Sequence, residues 1–266
     1  MNKRAVQAIG VAVVTGMLFL QAMVAGGVAS EEMGMVMDAM RNLRRADNVQ
    51  YELVSFTRGE ETTQKIWVDL LTENWLEELS VQDDDGMVVF WKRFFSGSEE
   101  WMSDGQSGWE TVETSSSVPG INIITEFPLG VDDIAETEYL EEEECKKIIF
   151  TVCDDVLEEH KQDFLALLEA ERQDERMQEI SYQQYEDTSY KNASIVYSID
   201  VNGQLREVLF SMDVTQPEIL LNAGGKYVLG EKETYQMGYS AKVVSVNDME
   251  VVKKIEKCAA EVNAMQ

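Results

Sequence analysis

The sequence predicts an α+β fold built on one curved antiparallel sheet, and three observations carry that prediction. Short stretches of alternating apolar and polar residues recur at regular spacing, divided by Gly-, Asp-, Asn- and Ser-rich turn signals. Helical periodicity is concentrated at 33–45, 154–171 and 248–265. Most strand-like stretches follow one another without a helix between them, which points to hairpins rather than βαβ crossovers.

Residues 1–30 open with Lys3 and Arg4, run uncharged and mostly apolar from Ala5 to Ala29, and end in small residues ahead of Glu31-Glu32. This is the pattern of a secretory signal cut after Ala29 or Ser30. An uncharged run of this length is also long enough to cross a bilayer, but Gly10, Gly16, Gly26 and Gly27 dilute it as a helix and favour cleavage. No cysteine follows the run, so no lipid anchor at a processed N-terminal cysteine is expected. The expectation is one secreted or extracytoplasmic domain, residues 31–266, with no stable membrane insertion once the signal is gone.

In the mature chain, Met33, Val36, Met37, Met40 and Leu43 fall three and four apart and predict an amphipathic helix. Strands are predicted at 50–58, 62–71 and 74–81. The turn Asp83-Asp84-Asp85-Gly86 leads into a strand at 87–95, and two more follow at 99–103 and 109–113. Pro119, Gly120, Pro128 and Gly130 mark 114–131 as a loop and the natural mid-chain break between two meanders. One strand is expected over 137–153, then a helix at 154–171 and strands at 179–185, 193–200, 204–214 and 226–246. Asn202-Gly203 is the strongest hairpin signal, and a final helix is expected at 248–265. Trp67 and Tyr197 each precede by eight residues the start of a return strand, at Trp75 and Leu205, so the two meanders share a plan.

Charge excludes some uses. The chain carries a formal −28, and loss of Lys3 and Arg4 with the signal leaves about −30, which repels nucleic acid and anionic membranes. Its three cysteines are an odd count, and Cys145 and Cys153 are too far apart along a strand to pair, so the fold does not rest on a disulfide framework. A domain of about 235 residues builds its core without one.

The helix ending Met40-Arg41-Asn42-Leu43 before the strand at Tyr51-Glu52-Leu53 resembles the LolA/LppX-like lipoprotein-carrier superfamily, especially its secreted Gram-positive members. The strands containing Ile66-Trp67-Val68-Asp69 and Glu99-Glu100-Trp101-Met102, and the turn Asp104-Gly105 to Gly108-Trp109, carry the same resemblance. It implies a half-open antiparallel barrel with helices on its concave face, an apolar hollow that takes lipid chains, and a place in a Gram-positive cell envelope.

Candidate ligand contacts follow from the aromatics. Trp67, Trp75, Trp91, Trp101 and Trp109 all fall in the first meander, with Phe90 and Phe94. Such a set is ordinary core, and on a curved sheet it also lines a cavity for an acyl chain. The strand at 87–95 is apolar on both faces, so something must cover each side. Met37 and Met40, among 14 methionines, add an adaptable apolar surface. No catalytic signature occurs: His160 is the only histidine, and the motifs HExxH, GxSxG and CxxC are absent. No metal site or cofactor is expected, because the acidic runs at 83–85, 132–133 and 141–144 lack the spaced ligands of a calcium loop. The sequence thus predicts a non-enzymatic exported binding protein for a lipid or acyl chain. The alternative is an envelope protein–protein interaction module without a small ligand.

Overall fold

The computed structural model describes residues 30–82, 88–105, 108–112, 117–173 and 179–265. The expected export signal before Ser30 and the expected turn at 83–86 lie outside the described residues.

The first meander comprises β1 (Asn48–Thr57), β2 (Glu60–Asp69), β3 (Asn74–Gln82), β4 (Val88–Ser96), β5 (Glu99–Ser103) and β6 (Glu110–Val112). The second comprises β7 (Ile134–Glu141), β8 (Cys145–Val152), β9 (Ser189–Asp200), β10 (Leu205–Leu221) and β11 (Tyr227–Val246). All join one antiparallel sheet in the order β6-β5-β4-β3-β2-β1-β11-β10-β9-β8-β7. The weld between meanders is the β1–β11 ladder, running from Val49 opposite Val246 to Thr57 opposite Met237. The sheet is open, with β6 and β7 as its edges. Edge β7 is exposed and carries Glu136, Glu138 and Glu141, charges that discourage further strand addition.

Five helices are described: α1 (Glu31–Arg44), α2 (Ile121–Thr125), α3 (Asp154–Gln173), α4 (Glu179–Glu186) and α5 (Met249–Asn263). Four serve the inner face. There α1 and α2 join one apolar cluster with Val49, Tyr51, Leu53, Ile66 and Trp75 of the first meander and Phe150, Tyr197, Val208 and Tyr239 of the second. Strands β4 and β8 both contribute to this cluster although seven strand spacings separate them, about 34 Å in a flat sheet. Curling the sheet around the helices brings them into one core. At its β9–β11 end the same face is closed by α3, through Val156 and Leu157, and by α4, whose Tyr185 meets Phe164 of α3 edge-on at 5.4 Å.

The fifth helix packs on the opposite face. Asp248 caps α5 by accepting from the Glu250 N–H at 3.0 Å. Val251, Ile255, Cys258 and Val262 then bury against Trp67, Leu76, Phe94 and Trp101. Lys254 stands 3.4 Å from the centre of the Trp67 ring and 3.1 Å from Glu78. Elsewhere the outer face mixes polar pairs, Ser194 with Ser211 at 3.4 Å and Ser240 donating to Glu207 at 2.6 Å, with a half-buried apolar row of Ile149, Val196 and Leu209. Strand β4 therefore reads apolar on both sides because Phe95 faces the inner cluster while Phe94 faces α5.

Three sequence expectations are corrected. The single strand over 137–153 is a hairpin, because the exposed Glu142, Glu143 and Glu144 turn the chain, with the Glu142 N–H donating to the Cys145 carbonyl at 2.9 Å. Residues 179–185 are helical. Ile180 and Tyr182 mimic strand alternation, but Tyr185, three residues on from Tyr182, docks on α3, a tertiary contact that overrides β propensity. The loop at 114–131 holds α2, with Ile123, Ile124 and Leu129 buried in the core. By contrast, Asn202-Gly203 forms the expected β9–β10 turn, with Gly203 at φ +75.

The weld is sterically tight at Gly238, which lies opposite Phe56 of β1 and Ser211 of β10. A Cβ there would sit 2.0 Å from the Phe210 carbonyl oxygen and 2.8 Å from the Phe56 ring. Gly238→Ala is expected to destabilise the fold by about 3 kcal/mol, read as a lower urea midpoint with unchanged m-value. The same substitution at half-buried Gly34 in α1, where an added Cβ meets nothing within 4 Å, leaves stability unchanged or raises it.

Candidate functional site

The candidate site is the inner face of the half-barrel and the helices that cover it. α1 forms where the apolar stripe requires: Ser30 Oγ accepts from the Met33 N–H at 3.2 Å, Glu31 and Glu32 sit in the first turn, and Arg41 and Arg44 in the last. Those charges complement the helix dipole. Met33, Val36, Ala39, Met40 and Leu43 are buried, whereas Met37 is 38% exposed. The neighbouring segment from Val118 to Val131 is tethered by the Tyr51 hydroxyl, which donates to the Pro119 carbonyl. Phe127 inserts between Phe150 and Tyr197, at 5.4 and 5.7 Å between ring centres. Beside it lies a cavity of about 10 Å³ bordered by Asn122, Glu126, Pro128, Tyr197 and Tyr239, room for one water. The Tyr197 hydroxyl is buried there without a hydrogen-bond partner among the described residues, and burial drives its pKa well above the usual phenol value.

At the β2–β5 end the inner face turns polar. Arg93 donates to Glu100 through Nε at 2.8 Å and Nη2 at 2.5 Å, and to Glu77 through Nη1 at 3.2 Å. Gln64 donates to Glu77 at 2.8 Å, and the guanidinium lies 5.3 Å from the Trp75 ring centre. Glu77 and Glu100 are each only 1% exposed. Two buried carboxylates flank this one guanidinium. Burial raises the Glu77 pKa, and the opposing pull of Arg93 does not cancel it. Glu77 in turn adds to the rise that burial imposes on Tyr51.

The aromatic and methionine candidates divide between the two faces. Trp75 is fully buried on the inner face, stacked on Phe95 at 5.9 Å, and Trp91 shares that face by its pairing with Leu79. Met40 belongs to the same inner cluster. Trp67, Phe94 and Trp101 lie on the outer face under α5, with Trp109 edge-on to Phe94 at 6.4 Å. Phe90 has the outer-face parity of Phe94 and lies 5.5 Å from Lys92. The inner surface thus gathers Trp75, Trp91 and Met40 and separates them from the remaining aromatics.

Sequence reading missed Glu77, Glu100, Arg93 and Gln64. The available signal was parity: Glu77 alternates with Trp75 and Leu79, and Arg93 with Trp91 and Phe95, so each charge sits in an apolar register. Among the described residues, no three His, Cys, Asp or Glu side chains converge as metal ligands. Cys145, Cys153 and Cys258 are all free thiols. Burial pushes the Cys258 pKa up to about 12, which keeps it protonated and unreactive.

No protein-family model matches the chain, and no curated relative does. Among solved structures the chain is similar to the crystal structure of the Mycobacterium tuberculosis lipoprotein LppX, at 11% identity and a TM-score of 0.37, over 82% of this chain and 93% of that one. A likeness this loose carries no function across.

The raised Glu77 pKa sets a pH dependence. Above the ordinary value of 4.5 the unfolded chain has begun to lose this proton while the folded protein still holds it. The contribution of Glu77 to stability is therefore greatest below 4.5 and falls as pH rises through the raised value. Glu77→Gln does not titrate, so the urea midpoint of the native protein is expected to decline relative to the variant's from pH 4.5 upward. A difference that stays constant with pH would contradict this assignment.

Proposed function

We propose that this protein is a non-enzymatic, exported binding protein that holds an apolar ligand of acyl-chain type on the inner face of its half-barrel, in the place that α1 takes in this structure. The observation that carries the reading is the way this face is covered. Its apolar core extends from Phe95 of β4 to Phe150 of β8, and the helix lying over β9 and β10 is a methionine-rich segment that makes no part of the sheet. With the export signal removed after Ala29, α1 is the N-terminal element and joins the sheet only through Arg45, Ala46 and Asp47. It can leave without breaking a strand ladder.

Magnitudes agree with such an exchange. Lifting α1 exposes Met33, Val36, Met40 and Leu43, at about 2 kcal/mol each and about 8 kcal/mol together. An acyl chain regains about 0.8 kcal/mol per buried methylene, so about ten methylenes offset the loss. Met212 and Met237 are buried on the inner face, and flexible thioethers repack readily around chains of different length.

The test is native mass spectrometry with organic extraction of residues 30–266, before and after incubation with phosphatidylcholine vesicles. One lipid per protein is expected, with several-fold greater uptake by Met33→Ala/Met40→Ala, which loosens α1 while leaving the sheet intact. A lipid-free mass for both proteins after incubation would overturn the reading and favour a protein-interaction module with a filled interior.

A further inference from the structure

The β10–β11 hairpin is longer than its neighbours. β9 accompanies β10 only as far as Thr215, and β1 accompanies β11 only from Met237. Beyond these points the two strands form a free ribbon, braced at its base by α4: Gln184 donates to the Pro217 carbonyl at 2.7 Å and Lys232 to the Asp187 carbonyl at 2.8 Å. Pro217, at the bulge before Ile219, breaks the sequence pattern of a strand. It is tolerated there because no strand pairs with β10 on the other side.

The end of this ribbon is apolar and exposed. Ile219 pairs with Leu229, Leu220 with Val228 and Leu221 with Tyr227. Exposure is 46% at Leu220, 64% at Leu221 and 44% at Tyr227. Alternation puts Leu220 and Val228 on one side and Leu221 and Tyr227 on the other, so both sides of the tip are apolar. From 219 to 230 Lys226 is the one charged residue, in a chain that is 27% charged.

We propose that this tip inserts shallowly into the surface of a zwitterionic lipid bilayer. A groove on another protein covers one side of a ribbon, whereas a bilayer surrounds it and suits a tip that is apolar on both. Three residue pairs span about 10 Å, which matches the 5–10 Å depth of the interfacial region. The turn that enters first satisfies its own backbone: Asn222 Oδ1 accepts from the Gly224 and Lys226 N–H groups at 2.9 and 3.0 Å, and the Asn222 N–H donates to the Lys226 carbonyl at 2.9 Å. Little backbone polarity is left to oppose entry into an apolar medium. Lys226 reaches back to the headgroups along its aliphatic stem, and Tyr227 is an aromatic of the type that favours that boundary. Glu218, Glu231, Lys232 and Glu233 form a charged collar that stops deeper entry. The net charge of −28 selects neutral over anionic surfaces.

This proposal stands apart from the ligand reading and fails separately from it. In flotation with phosphatidylcholine vesicles, residues 30–266 are expected to rise with the lipid. Leu221→Asp and Val228→Asp, on opposite sides of the ribbon, each lower the bound fraction at least tenfold while thermal stability and Met33→Ala/Met40→Ala uptake behaviour stay unchanged. Tyr227→Trp gives a blue-shifted emission on vesicle addition. A native protein that stays with the lipid-free fraction overturns the proposal, as does equal flotation of both Asp variants. Concentration-dependent dimers that the Asp variants abolish, without flotation, would assign the tip to a second copy of the chain instead.

Discussion

An open sheet of eleven strands that is apolar along its inner face, and apolar on both faces at β2–β4, has to be covered twice, and this constraint organises the molecule. The outer cover is local: α5 lies across β2–β4, where Trp67, Leu76 and Phe94 reach outward, and the remaining outer surface mixes polar residues with the half-buried row Ile149, Val196 and Leu209. The inner cover cannot be local, because the apolar inner face continues through the β1–β11 weld into the second meander. Four helices and the Val118–Val131 segment share it, and the sheet curls to bring them together. An element torn from either face leaves apolar area that only another apolar partner can satisfy.

The two covers differ in how firmly they are held. α5 is fixed by a capped start, a Lys254–Glu78 ion pair, a cation stacked on Trp67 and a continuous apolar stripe. α1 has its own N-cap and dipole complement, but its hold on the sheet rests on apolar contacts, rich in methionine, and no ion pair links it to a strand among the described interactions. An apolar ligand competes with contacts of that kind directly, whereas a network of charge-assisted bonds resists such exchange. The buried Glu77–Arg93–Glu100 cluster interrupts the apolar inner surface between Trp75 and Phe95 on one side and Leu79 and Trp91 on the other. Its Arg93 guanidinium lies over the Trp75 ring at 5.3 Å.

Much of the strand layout was legible because hairpin turns announce themselves locally: Asn202-Gly203 and the alternation in β1–β5 need no tertiary information. What failed was set by distant contacts. α4 carries strand-like alternation and becomes helical through Tyr185 against Phe164, and α2 hides in a Pro- and Gly-rich stretch whose Ile123 and Ile124 have value only once the inner face exists. The candidate site was half legible. Aromatic clustering in the first meander was plain, but alternation alone does not say which side of a sheet is concave, so Trp67 and Trp101 could not be told from Trp75 and Trp91. The buried charges were visible as breaks in an apolar register, a signal that aromatic counting passed over.

The central claim is that α1 is a displaceable cover and α5 a fixed one. Amide hydrogen exchange of residues 30–266, free and after loading with a long-chain fatty acid, tests it most directly. The account predicts that protection in Glu31–Arg44 falls at least tenfold on loading while Met249–Asn263 keeps its protection. Equal protection of α1 in both states, with ligand demonstrably bound, would place the ligand elsewhere and contradict the account.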